Sequence, residues 1–266
     1  MTEPSAAKIM ATKLSFGYGA RTVQDDVSFT VKPGSIFAIM GGSGCGKSTL
    51  MKVLIGLLRP QNGTVLVDGE DYWGADETRR TEIGRRFGVV FQSGELWSSM
   101  NVAENVALPL RMFTKLDDAA ISALVRLKLS LVGLDPAGAM MPADLSGGMR
   151  KRAGLARALS LDPEILFLDE PSAGLDPVSA KRFDDLILEL RDGFGVTVVM
   201  VSHELPSLLE ICDDGVFLDA EAHTAIAHGA PRELLESCSH PTVKAFMNRT
   251  RLEPADTTKG GPDGKR

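Results

Sequence analysis

The chain has 266 residues, 44% of them hydrophobic, enough for one large domain or two modest ones with a full core, which excludes a disordered class. A formal charge of -6 gives no global attraction to nucleic acid, so no nucleic-acid partner is expected. No run of 18 apolar residues occurs and the opening MTEPSAA has no leader pattern, so the expected location is cytoplasmic, with membrane contact made only through protein partners.

In chain order, residues 8–71 alternate short β-branched runs with turns at Lys32-Pro-Gly, Gln61-Asn-Gly and Val67-Asp-Gly, a pattern of antiparallel strands and hairpins. Inside this region the run 35–40 leads into Gly41, Gly42, Ser43, Gly44, Cys45, Gly46, Lys47, Ser48 and Thr49, and a helical stretch follows over 50–58. That is the phosphate-loop pattern G-x-x-x-x-G-K-S/T between a strand and a helix. Its four glycines let successive N–H groups face a phosphate chain, and the helix start adds its positive dipole end. Lys47 is expected to bridge terminal phosphates and Ser48 to ligate Mg²⁺, making ATP and Mg²⁺ the expected cofactors. Cys45 fills a variable position, either as loop filler or as a thiol beside the nucleotide whose alkylation blocks turnover. With Cys212 and Cys238 it makes an odd set without metal-ligand spacing, so reduced thiols are expected.

Three short apolar runs, 88–91, 165–168 and 196–201, read as fully buried strands alternating with helices, which gives an α/β class with a parallel sheet. About fifty residues between the first two, including 119–132, have helical periodicity, and an α-helical subdomain is expected at about 95–145. Residues 145–149, Leu-Ser-Gly-Gly-Met, open a helix over 150–159 as a second phosphate cradle. Its first turn carries Arg150, Lys151 and Arg152 against the helix dipole, so they either face an anion or form a solvated face. At the end of the 165–168 strand, Asp169 is expected to help hold Mg²⁺ and Glu170 to polarise the attacking water. Residues 250–266 read as a disordered polar tail rich in Pro, Gly and Lys.

The order of these motifs, with Gln92, Ala173-Gly-Leu-Asp176 and His203 between and after them, resembles the ATP-binding cassette family over about 11–246. The resemblance implies an ABC ATPase domain over 8–247: a P-loop NTPase with a mixed core sheet, an N-terminal antiparallel β-subdomain and an inserted α-helical subdomain. It also implies a head-to-tail homodimer, in which each ATP lies between one chain's phosphate loop and the other chain's Ser146, Gly147 and Gly148. By the same resemblance Gln92 reaches the metal and water, Asp176 couples the two sites, His203 contacts the γ-phosphate and Tyr18 stacks on adenine.

Residues 90–97, 101–111 and 145–153 resemble more closely the ATPases of Mla-type phospholipid transporters, in which methionine stands where Met149 stands here. That resemblance implies a peripheral subunit on the cytoplasmic face of the inner membrane of a Gram-negative envelope, maintaining outer-membrane lipid asymmetry. The implied partners are integral-membrane permease subunits, an Mce-domain lipid-binding protein and a small STAS-domain subunit. Glu95 and Trp97 depart from that group's pattern, which has a small apolar residue and phenylalanine there. The Leu, Trp, Met and Val of 95–112 suit a groove receiving a permease helix, or else pack the helical subdomain. The alternatives are a transport ATPase for another cargo, such as an amino acid or a hydrophobic toxicant, and a soluble ABC ATPase. The insertions typical of the last class are not present in the sequence.

Overall fold

The computed structural model describes residues 7–92 and 94–249, so the expected tail at 250–266 lies outside the described residues. The chain opens with a hairpin, β1 (Ile9–Tyr18) and β2 (Arg21–Val31), and then β3 (Ile36–Gly41) runs into helix α1 (Lys47–Leu54). Strands β4 (Asn62–Val67) and β5 (Glu70–Asp71) complete an antiparallel sheet of order β2-β1-β4-β5. Strand β3 does not join it, although the sequence placed 8–71 among antiparallel hairpins. All six of its residues are buried, and an unbroken apolar run belongs in a sheet covered on both faces.

That second sheet has the order β10-β9-β3-β8-β7-β6, formed with β6 (Phe87–Val90), β7 (Ile165–Asp169), β8 (Thr197–Val201), β9 (Asp214–Leu218) and β10 (Ala225–His228). Its strands are parallel except β10, which pairs antiparallel with β9. The two-residue period divides each central strand between two cores. Phe37, Ile39, Phe167 and Val199 face the antiparallel sheet, where Phe29 stacks on Phe37 with ring centroids 5.2 Å apart. Ala38, Met40, Leu168 and Met200 face the helical layer. Apart from Ala38, each of these side chains contributes about 1.5–3 kcal/mol by leaving water.

Helix α2 (Glu77–Gly84) precedes β6, and helices α3 (Val102–Phe113) and α4 (Asp118–Leu131) follow it before α5 (Gly147–Ala158). Asn101 and Glu104 form a reciprocal capping box that fixes where α3 starts. Fully buried Asn105 donates to the carbonyls of Trp97, Met100 and Asn101, and this ties the preceding loop to α3. Helix α6 (Pro177–Phe194) separates β7 from β8, and the short helices α7 (Leu205–Ile211), α8 (Pro231–Ser237) and α9 (Pro241–Met247) complete the described chain. No helix of the described residues is long and apolar enough to cross a membrane.

Candidate nucleotide site

The carboxyl ends of the parallel strands carry the chemistry, as open α/β sheets require. Between β3 and α1 the loop 41–46 turns so tightly that Gly41, Gly44 and Gly46 all have positive φ. At Gly41 the requirement is absolute, because a Cβ there would sit 2.3 Å from the Leu218 carbonyl oxygen on β9. Lys47 lies at the helix start and donates to the carbonyl oxygens of Gly41 and Gly42, each at 2.9 Å. Beside this loop opens a cleft of about 900 Å³, lined by Tyr18, Gly41, Gly42, Ser43, Gly44, Gly46, Lys47, Ser48, Thr49, Gln92, Glu170 and His203. Residues up to 185 positions apart in sequence therefore meet around one phosphate-sized loop.

Cys45 is the exception within the loop. Its side chain is 1% exposed and does not line the cleft, its thiol is pushed up by burial, and its carbonyl accepts from Gln24 at 2.7 Å. The loop-filler reading therefore stands, and the expectation of an alkylation-sensitive thiol beside the nucleotide is withdrawn, because a protonated buried thiol is a poor nucleophile.

At the end of β7, the Ser48 hydroxyl donates to Asp169 Oδ1 at 3.3 Å. Burial raises the Asp169 carboxyl, and the neighbouring Glu170 charge raises it further. A carboxylate held this way gains from a nearby cation. A hydroxyl and one carboxylate fit Mg²⁺, which binds through one or two protein oxygens and completes its shell with phosphate and water. Glu170 sits at φ 50, a left-handed conformation that non-glycine residues adopt at a cost of order 1 kcal/mol and that clusters at functional sites. Its amide donates to the Val201 carbonyl at 2.9 Å, and its Oε1 lies 2.7 Å from His203 Nδ1. Its Oε2 is buried without a hydrogen-bond partner among the described residues, so one acceptor is unused. The His203 ring, 54% exposed, stands at the open side of the cleft. Tyr18 is also exposed, with Lys52 Nζ 3.3 Å from its hydroxyl, and its phenol is lowered by the hydroxyl of Thr49 and then by Lys52.

Ser146, Gly147, Gly148 and Asp176 are not brought to this cleft. They line a second one of about 360 Å³, formed by the starts of α5 and α6. Ser146 caps α5, its hydroxyl accepting from the Met149 amide at 3.2 Å. Asp176 caps α6 by accepting from Val178 and Ser179, and the Ser179 contacts hold its carboxyl below the usual range.

The basic run that follows Ser146 matches neither expected reading at two of its three positions. Lys151 is buried and donates to the carbonyls of Glu170 at 3.0 Å and Ala173 at 2.7 Å. Arg152 donates to the carbonyls of Val132 and Gly133, both at 3.2 Å. Arg157, further along α5 and unremarked in the sequence, donates to those of Glu95 at 2.8 Å and Gly94 at 3.3 Å. One helix thus holds three carbonyl pairs from three other segments. For Lys151 and Arg152 the sequence signal was the presence of cations where the helix dipole opposes them, whereas Arg157 lies in the last turn of α5, where the dipole favours a cation, and carried no such signal.

Sheet order, phosphate loop and the Asp169-Glu170 strand end together define a phosphate-loop ATPase. The family model described as ABC transporter matches residues 24–173, and the chain belongs to the ABC transporter family as an ATP-binding, ATP-hydrolysing cassette. It is 40% identical over 247 residues to the Escherichia coli K12 intermembrane phospholipid transport system ATP-binding protein MlaF, covering 92% of this chain and 91% of that one. It is 39% identical over 251 residues to the Mycobacterium tuberculosis H37Rv protein named as a probable ribonucleotide transport ATP-binding protein, mkl, covering 94% of this chain and 69% of that one. Among solved structures, CbiO1 of Clostridium perfringens, part of the ABC transporter complex CbiONQ, superposes with a TM-score of 0.79 at 27% identity, over 87% of this chain and 92% of that one. A dimeric post-hydrolysis state of the cassette MJ0796, bound to ADP and Pi, superposes with a TM-score of 0.75 at 26% identity, over 83% of this chain and 97% of that one.

Proposed function

We propose that two copies of this chain pair head to tail and hydrolyse ATP to drive a transporter that moves phospholipid between the membranes of a Gram-negative envelope. The observation behind the pairing is the division of the motifs between two separate clefts. A phosphate loop with Lys47 lines one cleft and Ser146 to Gly148 line the other, so the two phosphate-cradle motifs do not meet within one chain. The dimeric cassette bound to ADP and Pi supports the pairing of two copies. In this reading Gly41 to Thr49 cradle the phosphates, and Tyr18 carries the adenine. The Glu170 carboxylate takes the proton of the attacking water, with His203 holding its Oε1 and reaching the γ-phosphate. Ser48, Asp169 and Gln92 would hold Mg²⁺, which when bound neutralises charge on the phosphates.

The cargo rests on the relatives named for intermembrane phospholipid transport, and a ribonucleotide cargo is the second reading because relatives so named match about equally well. Residues 95–145 form the helical subdomain. Beside it, Leu57, Arg85, Phe87, Pro109 and Phe113 line a groove of about 650 Å³ that suits a permease helix. Docking there would hold the chain on the cytoplasmic face of the inner membrane, together with an Mce-domain protein and a STAS-domain subunit.

The test is purification from native membranes in mild detergent, with mass spectrometry of accompanying proteins and lipids. A permease with an Mce-domain protein and phospholipid is the expected result. Recovery with a soluble substrate-binding protein refutes the cargo, and recovery with no membrane protein refutes transport.

A further inference from the structure

We propose that Lys151 is a positioning residue that ties the start of α5, in the second cleft, to the turn bearing Glu170 in the first. Its side chain is buried, and its ammonium bridges the carbonyls of Glu170 and Ala173, which begin and end the turn 170–173. Burying an ammonium costs several kcal/mol unless hydrogen bonds compensate, so the lysine holds that turn at close range. The turn sets two things at once. At its start Glu170 keeps the left-handed backbone that aims its carboxylate at His203, and just past its end Asp176 caps α6 beside Ser146.

The opposite side of the turn is also held. Ser172 Oγ lies 3.5 Å from Ser207 Oγ, and Ser207 donates to buried Asp184 on α6 at 2.6 Å. With that side fixed, a shift of α5 reaches Glu170 through Lys151 alone among the described side chains that bind the 170 and 173 carbonyls. Lys151 stands five residues beyond Ser146, which caps the same helix. A nucleotide captured at Ser146 therefore sets the Glu170 turn of the same chain, and through it the hydrolysis of the other nucleotide. Arg157 extends the link by holding the carbonyls of Gly94 and Glu95, close behind Gln92. The consequence is that each site turns over only when the other is filled. This inference rests on the paired reading proposed above.

The experiment measures ATP hydrolysis by the intact complex with its permease, against ATP concentration, for wild type, Lys151→Met and Lys151→Gln. Methionine keeps the length of the stem and removes the donors, whereas glutamine keeps two donors on a shorter, uncharged stem. The expected result for Lys151→Met is a kcat at least tenfold lower and a Hill coefficient falling towards 1. Binding of a fluorescent ATP analogue stays within twofold, measured well below the melting temperature. Lys151→Gln falls between the two, recovering part of both kcat and cooperativity. An unchanged kcat and Hill coefficient in Lys151→Met overturns the proposal, as does a loss that only tracks the folded fraction and that glutamine does not relieve. Should Lys151→Met not fold, Lys151→Ala, which also lacks the donors, is read by the same criteria, and wild-type kcat and cooperativity there overturn the proposal equally. ATP-dependent pairing of Glu170→Gln, read by sedimentation, separates the two levels. No pairing refutes the paired reading itself, whereas pairing with unaltered Lys151→Met turnover refutes only the role of Lys151.

Discussion

Glu164→Gln tests how firmly the two sheets are joined at the end away from the nucleotide. Glu164, just before β7, accepts from Arg86 Nε at 2.9 Å and Nη2 at 2.7 Å, and from Lys8 Nζ at 2.5 Å. Asp68 shares both cations, so four charges from four segments form one network. The Arg86 hydrogen bonds, followed by that of Lys8, hold the Glu164 carboxyl down from its ordinary 4.5 to about 2. At about 1.4 kcal/mol per pH unit, that separation sets a ceiling of about 3.4 kcal/mol. The side chain is 49% exposed, and solvent screening brings the expected contribution down to about 1 kcal/mol. A carboxylate depressed in the folded state stabilises fully above its unfolded pKa, and the effect is lost as pH falls through the folded value. The stability gap between wild type and Glu164→Gln should therefore be about 1 kcal/mol at pH 7, or about 2–4 °C in melting temperature, and should narrow below pH 4.5 towards pH 2. Urea unfolding followed by the fluorescence of Trp73 and Trp97 measures it at pH 7 and pH 3.5, in low and high salt. A gap that stays constant between those pH values, or that is absent in low salt, refutes the reasoning.

Glu170→Gln should lower kcat by about 10²–10⁴ while ATP binding persists, in single-turnover assays; turnover within threefold of wild type rules out the general-base role. Tyr18→Ala should raise the KM for ATP about 5- to 100-fold with kcat little changed, since base stacking on an aromatic ring contributes about 1–3 kcal/mol, and an unaltered KM removes Tyr18 from the adenine site. In the native protein iodoacetamide should modify partly exposed Cys238 well before buried Cys45, as peptide mass spectrometry would show, and rapid labelling of Cys45 contradicts its burial. Phe113→Glu, at a side chain 43% exposed in the groove assigned to the permease helix, should leave the ATPase of the isolated chain intact and abolish permease-coupled transport; normal transport moves the docking surface elsewhere.

The chemistry was legible wherever it is written in consecutive residues. The phosphate loop, the strand end at Asp169 and Glu170, and the Ser146 cap each depend on local backbone geometry, so a short pattern carries them. What could not be read depends on contacts across the chain. Strand β3 fell within an antiparallel region because the Lys32-Pro-Gly turn before it is a hairpin turn, yet its pairing with β8 and β9 is set by residues about 160 or more positions away. Cys45 could not be separated from its cleft-lining neighbours by sequence, because its thiol packs closely against Gly41, a contact that no local pattern shows. The lysine and arginines of α5 looked like a charged surface because their carbonyl partners lie on other segments. Asn105, an unremarkable helix residue in sequence, became a buried tie for the Trp97 loop.

The two half-sites carried on one chain also set the genetics of a mixed pair. Suppose one copy carries a phosphate-loop lesion at Lys47 and the other a lesion at Ser146. The head-to-tail pairing proposed above would place both lesions in the same composite site and leave the other site whole. Put both lesions on one copy, with its partner intact, and neither site is whole. The two separate alleles therefore leave one whole site in each mixed pair, which turns over only as far as the lesioned site still fills with nucleotide, whereas the same two changes on a single allele leave no whole site in any pair that chain enters.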